Sequence, residues 1–446
     1  MTEFINSIKP EYILIIGGSL IVIISFIFNF IAKKTHIPSV LLLMILGVIM
    51  QFAFPELKAN PLISKSLIIV GKIGVILIVL EAALDLQLKK EKIGLILRSL
   101  GMALFGLIAT SLLTAYLIQE LLHVDFYRAL IYSVPLAILS SAIIIPSVKT
   151  LPTVQKEFLI YESTFSDIFG IIFFQFLIEP NNFQNTAEVI LSVSTNIGVT
   201  LIVAIVFSYL MVWGFSRIKS SVKLFLIISV LTLAYGIGSV FHLSSLIIVL
   251  FFGLVLGNVN VFFKGPIKNL VDAKKLKPVF HEFHIITLES AFFLRTFFFV
   301  VFGLTITLSS LVDSSVAFES LIIVAILFSV RFILLKLLVW NRPIIPKLWI
   351  APRGLITVLL FYSIPAAYSV PEFNQGILLY TILISSVIMT FALIRANGRK
   401  ISDVFIKEHN LNYLEDSLNE QISDEIIEFH KSEIQEEIDI QNEDVG

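Results

Sequence analysis

The stretch YESTFSDIFGIIFF, residues 161–174, decides how this chain is read. It lies inside FLIYESTFSDIFGIIFFQFLI, residues 158–178, a run of the length that crosses a bilayer as a helix, about 20 residues. Yet it carries Glu162 and Asp167. An ionised carboxylate in hydrocarbon is costly unless it is paired or wet, so acids inside a membrane segment point to function. The rest of the chain supports a membrane setting. Of its 446 residues, 57% are hydrophobic and 15% charged, with a mean hydropathy of +0.95, whereas soluble domains run near a quarter charged. The reading is an all-α polytopic membrane protein. A formal net charge of −1 says nothing about nucleic acid, and no nucleic-acid partner is expected. The absence of cysteine excludes disulfides, zinc–thiolate sites and iron–sulfur clusters, and no cofactor is expected.

Working outward, apolar runs fall near residues 11–31, 37–54, 66–86, 93–119, 128–148, 158–178, 187–213, 222–241, 243–262, 284–309, 316–340, 347–368 and 376–395, which predicts thirteen transmembrane helices. The first run is long enough to span and has no cleavage site of the secretory kind behind it. Charge tests the count. Seventeen lysines and arginines lie in the loops after odd-numbered helices, and the loops after even-numbered helices hold Lys58 and Lys65. Basic residues stay on the cytoplasmic side, so the N-terminus is expected outside and the C-terminus in the cytoplasm, with the bacterial inner membrane as the expected location. Residues 1–395 read as the membrane domain. Residues 396–446 are acidic and polar, a solvated cytoplasmic tail with no glycine-rich phosphate loop.

Glu162 and Asp167 are five residues apart, so on a helix they point roughly 140° away from each other. They are therefore two sites. Glu162 shares a face with Ser166, and Asp167 shares one with Ser163 and Gly170. Glu162 needs a cation, and Arg295, Arg331 and Arg353 lie deep in apolar runs. Arg331 has no acid near it in sequence. Arg295 has Glu289 six residues back, a poor helical spacing.

Two segments read as broken helices. SVPLAILSSAIIIPSV, 133–148, holds Pro135, Ser140, Ser141 and Pro146, and WIAPRGLITVLL, 349–360, holds Pro352, Arg353 and Gly354. Proline removes an intrahelical bond, glycine loosens the backbone, and such backbone survives at membrane depth where it lines a cavity. Each is followed by one more helix, which suggests two inverted halves with crossing discontinuous helices.

These pieces together resemble the monovalent cation:proton antiporters, in the branch that holds sodium/proton exchangers. Glu162-Ser163-x-x-Ser166-Asp167 is similar to the family's Glu-Ser-x-x-Asn-Asp on helix 6. Arg331 falls where the family has an arginine paired to that glutamate. Pro352-Arg353-Gly354 is similar to its second broken helix, and LEAALDL, 80–86, to an acidic segment ending helix 3. Two departures stand out: Ser166 replaces Asn or Asp, and Ser141-Ala142-Ile143 replaces the Thr-Asp-Pro of the first broken helix.

The resemblance implies antiport of Na⁺, with K⁺ or Li⁺ as alternatives, against H⁺, in the service of pH homeostasis. It implies that Asp167 binds cation or proton with Ser163, Ser166 and Ser141 around it, and that Glu162 and Arg331 form a structural pair. Ser140, Pro146, Pro352, Arg353 and Gly354 would build the crossing. A single ionisable carboxylate implies electroneutral one-for-one exchange. A homodimer with a moving core of helices 4–6 and 11–13 is also implied. A K⁺/H⁺ antiporter, a sodium-coupled symporter, a non-transporting sensor and a membrane-embedded enzyme are the alternatives. The enzyme reading finds no HExxH or Gly-x-Gly-Asp motif to support it.

Overall fold

The computed structural model describes residues 10–35, 38–53, 61–86, 88, 90–178, 186–217, 223–241, 243, 245–264, 267, 271, 273–305, 313–339 and 344–396. The expected tail lies outside the described residues except for Ala396, as do several of the loop lysines.

Among the described residues there is no strand. In hydrocarbon a backbone must satisfy its own N–H and C=O groups, and a helix does so within one segment. The helices are α1 (Pro10–Thr35), α2 (Ser39–Ala53), α3 (Pro61–Asp85), α4 (Ile93–Leu122), α5a (Phe126–Ala137), α5b (Ser141–Ser147) and α6 (Thr153–Ile178). After these come α7 (Thr186–Arg217), α8 (Lys223–Val240), α9 (Ser245–Gly257), α10 (Ala273–Thr305), α11 (Ser314–Leu338) and α12 (Leu355–Tyr362). The last is α13 (Gly376–Ala396). Among the described residues, seven spans are long and apolar enough to cross a membrane by length and composition. The α6 helix, with Glu162 and Asp167, is not among them.

Two elements differ most from the expected bounds. The α10 helix begins eleven residues before the expected 284, because the charged turns around Lys274, Lys275 and Lys277 are helical without being apolar. The twelfth run is mostly not helix. A turn at 345–349 leads into non-helical backbone at 350–354, and regular helix holds only Leu355–Tyr362.

The helices pack in two groups. In one, α10 runs along α2 and α3, α9 along α3 and α7, and α8 along α9, with α1 on α2. In the other, α4 packs on α5a, α6 and α11, both halves of α5 lie on α6, and α12 lies on α5a. The contacts between groups, such as α3 with α6 and α12, are lighter. Within the first group, α2 and α10 approach closely because both are glycine where they meet. A Cβ on Gly47 would lie 2.8 Å from Gly303 Cα, too close for any side chain. Gln51 Nε2 donates to Leu304 O at 2.7 Å, and the Ser25 and Thr296 hydroxyls bond at 2.7 Å.

Contacts divide the chain into Met1–Leu393 and Ile394–Gly446. Of the second unit only Ile394–Ala396, the last turn of α13, is described.

Candidate ion-binding site

The break in α5 falls at Ile138–Ser140, where the backbone turns extended. Pro135 lies near the end of α5a and Pro146 inside α5b. The non-helical stretch before α12 meets this break, and Ser140 N–H donates to Pro352 O at 2.9 Å. Gly354 permits the crossing, since a Cβ there would stand 2.5 Å from Ser140 Oγ and 2.9 Å from Ile143 Cδ1. The expected crossing residues Ser140, Pro352, Arg353 and Gly354 thus come together, and Pro146 lies one turn further along α5b.

Arg353 is buried and answers the carbonyls that the breaks expose. Its Nε donates to Leu136 O at 2.9 Å and its Nη2 to Ala137 O at 3.4 Å, both at the C-terminal end of α5a. Its Nη1 donates to Ala351 O at 2.6 Å. A helix C-terminus carries partial negative charge and unsatisfied carbonyls, so a guanidinium fits it in both respects. Arg353 N–H in turn donates to Ser385 Oγ of α13 at 3.1 Å.

Glu162, 1% exposed, meets Arg331 of α11 in a two-pronged pair: Nη1 donates to Oε1 at 2.6 Å and Nη2 to Oε2 at 2.9 Å. The fork of the guanidinium matches the carboxylate in this geometry. Arg331 Nε and Nη2 also donate to Lys347 O at 3.0 and 2.9 Å. One arginine therefore joins α6, α11 and the turn that starts the second broken segment. A small internal cavity lies beside the pair, lined among others by Gly106, Leu139, Ser166 and Arg353.

Asp167 points elsewhere, as its helical spacing from Glu162 requires. It is 4% exposed. Ser141 faces its carboxylate with the hydroxyl and the backbone N–H, but Asp167 Oδ1 and Ser141 Oγ are left without a well-formed hydrogen bond. Buried polar atoms nearly always have partners. Two oxygens with spare lone pairs, side by side and shielded from lipid, can accept a proton or ligate a hard monovalent cation.

The other two serines are engaged. Ser166 Oγ accepts from Leu139 N–H at 3.0 Å, which satisfies one amide of the unwound stretch. Ser163 Oγ donates to Ile160 O at 3.2 Å on its own helix. Both stand within a turn of Asp167, but their hydroxyls serve backbone.

Arg295 does not pair with Glu289, which is exposed. Its Nη2 donates to Glu81 Oε2 of α3 at 2.9 Å, and its Nη1 to Ala142 O of α5b at 3.3 Å. One turn along α3, Asp85 Oδ1 lies 2.9 Å from His284 Nε2 of α10. The acids of LEAALDL thus meet α10, a pairing that sequence distance hid. The signal that could have found it was a mid-helix arginine with no acid at helical spacing.

Comparison with known proteins follows the geometry. A family model described as sodium/hydrogen exchanger, transmembrane, matches residues 20–395. The structure is similar to that of the sodium proton antiporter MjNhaP1 from Methanocaldococcus jannaschii at pH 8, with a TM-score of 0.65, 19% sequence identity, and coverage of 88% of this chain and 98% of that one. A second structure of that antiporter, from electron microscopy, gives the same TM-score of 0.65 and 19% identity, with 97% of its chain covered. At this identity the likeness establishes the fold. No curated protein matches the sequence.

Proposed function

The chain belongs to the sodium/hydrogen exchanger family, and from that premise we propose that it exchanges Na⁺ for H⁺ one-for-one through Asp167. Family membership makes it an integral membrane cation:proton antiporter, and that family is one of transporters. The observation that carries the finer reading is a buried carboxylate whose Oδ1 lacks a hydrogen bond and which faces the unwound crossing through Ser141. Such a group can hold a proton or a small cation, and cannot hold both at once. Alternating exposure of that one site to the two sides then couples the two flows.

Ser141 Oγ is the first added ligand in this reading. Ser163 and Ser166 contribute only after their hydroxyls turn from Ile160 O and Leu139 N–H. Glu162 and Arg331 hold α6 to α11. The stoichiometry rests on Ser166, which cannot supply a second ionisable group beside Asp167. The reading extends to a homodimer in the bacterial inner membrane, N-terminus outside, with residues 396–446 as a cytoplasmic tail. Cross-linking in membranes and labelling of single introduced cysteines test those parts.

The deciding experiment is a pH-gradient dye in everted vesicles. Acidify the lumen, then add Na⁺, Li⁺ or K⁺ in turn. Dequenching on Na⁺ at lower concentration than on K⁺ supports the reading. A response to K⁺ alone reassigns the ion, and no response to any of the three overturns exchange.

A further inference from the structure

Pro146 leaves a particular atom without its helical partner. In a helix the N–H of residue 146 would donate to the carbonyl of residue 142, and proline has no N–H. Ala142 is 5% exposed, so water does not replace the missing donor. The donor comes from another helix: Arg295 Nη1, 3.3 Å from Ala142 O. The same guanidinium donates to Glu81 Oε2 at 2.9 Å, while its Nε is buried with no partner. Between them lies a small cavity lined by Ile78, Glu81, Ser141, Ala142, Pro146 and Arg295.

These bonds join elements that otherwise pack apart. Glu81 and Arg295 belong to α3 and α10 of the first helix group, and Ala142 belongs to α5b of the second. Ala142 also follows directly on Ser141, which faces Asp167. Any sliding of the second group against the first must break the bond to Ala142 O. The Arg295–Glu81 bond lies within the first group and survives the movement.

We propose that Arg295 is a positioning residue that latches half-helix α5b to α3 and α10, using the carbonyl that Pro146 frees. Glu81 keeps the guanidinium charge balanced and aimed while the latch is open. Pro146 thereby has a role besides bending the helix: it supplies the acceptor. The inference rests on the antiport reading for the claim that the two groups move, and its test does not depend on transport.

The chain has no native cysteine, so Ala142→Cys gives a single thiol at the latch with its backbone carbonyl kept. The full-length protein is placed in nanodiscs and the rate of maleimide labelling is measured. Arg295→Gln should speed labelling by about tenfold, the effect of losing one charge-assisted hydrogen bond on an opening equilibrium. Arg295→Lys, which keeps the charge, should fall between. Pro146→Ala restores an N–H at position 146, gives Ala142 O an internal donor, and should also speed labelling with Arg295 intact. In that background Arg295→Gln should add less than about twofold. Full multiplication of the two effects, or wild-type labelling in Arg295→Gln, overturns the latch. If Arg295→Gln does not fold, Pro146→Ala alone decides: labelling no faster than in the parent rejects it. Absence of exchange in the cysteine-free parent would reject the antiport reading and leave the labelling result standing.

Discussion

Removing Arg331 strands the Glu162 carboxylate where only 1% of the residue reaches the surface. The magnitude follows from the bonds involved. Arg331 makes four: two to Glu162 and two to Lys347 O. Breaking a buried pair by deleting one partner costs about 3–5 kcal/mol. Leaving the Lys347 carbonyl without a donor adds about 1–3 kcal/mol. Arg331→Met should therefore lose about 4–8 kcal/mol, and Glu162→Gln, which strands the guanidinium but keeps its bonds to Lys347 O, about 3–5 kcal/mol. The double substitution leaves no unpaired charge. What it leaves is the carbonyl and some lost packing, about 2–4 kcal/mol. The singles then sum to well above the double, with a coupling of at least about 3 kcal/mol. The assay is unfolding of purified protein in mixed micelles by SDS titration, for parent, singles and double. Additivity within about 0.5 kcal/mol would refute the assignment, because residues that do not interact add.

Asp167→Asn should give a monodisperse protein that exchanges nothing in proteoliposomes, and residual exchange above a few per cent of the parent rate would remove Asp167 from the site. Gly354→Ala puts a Cβ 2.5 Å from Ser140 Oγ, and should lower exchange at least about tenfold, since a misplaced crossing costs far more than its local strain; parent-like initial rates in proteoliposomes would show that the crossing tolerates the methyl. Arg353→Met removes the donor from Leu136 O, Ala137 O and Ala351 O, and should cost about 2–4 kcal/mol in the same SDS titration, more than an exposed arginine would. Electroneutral exchange predicts the same initial rate at zero and at about −100 mV, a step worth about 2.3 kcal/mol for each net charge moved; a transient current on a solid-supported membrane would contradict it.

The helices were legible because membrane helices announce themselves by length and apolarity. The boundary between α8 and α9, at GSVFHLSS, was legible too: the helices end at Val240 and resume at Ser245. What apolarity could not show was helix that is charged, as in the first turns of α10, or apolar backbone that is not helix, as at 350–354. At the site, residues brought together along one helix were readable from spacing, which is why Glu162 and Asp167 separate as expected. Partners on different helices were readable only where the cost of burying a charge forced a choice. Arg331 had no other acid within reach of its own helix. Arg295 had a nearby but wrongly spaced one, and its partner, Glu81, is 214 residues away. Where Ser163 and Ser166 spend their hydroxyls depended on backbone groups that the break exposes, and no side-chain pattern encodes that.

The missing acid of the first broken helix bears on how exchange is enforced. The second helix group and its broken segment bury Arg331, Lys347, Arg353, Glu162 and Asp167. With Asp167 ionised these five sum to plus one, and with H⁺ or Na⁺ bound they sum to plus two in either case. On the proposed reading the two loaded forms are therefore electrically alike, and voltage cannot favour one over the other. Obligate exchange also requires that the empty form move slowly, and the total charge does not supply that, since the empty form carries the smaller net charge. The local environment does. An empty Asp167 presents an ionised carboxylate with Oδ1 lacking a hydrogen bond, and carrying it past apolar side chains costs several kcal/mol. A proton or a cation removes that cost. Arg353 points elsewhere, because its Nε, Nη1 and Nη2 each donate to a backbone carbonyl. On this reading the barrier to uncoupled movement lies in the buried, ionised carboxylate itself, which only a proton or a cation neutralises.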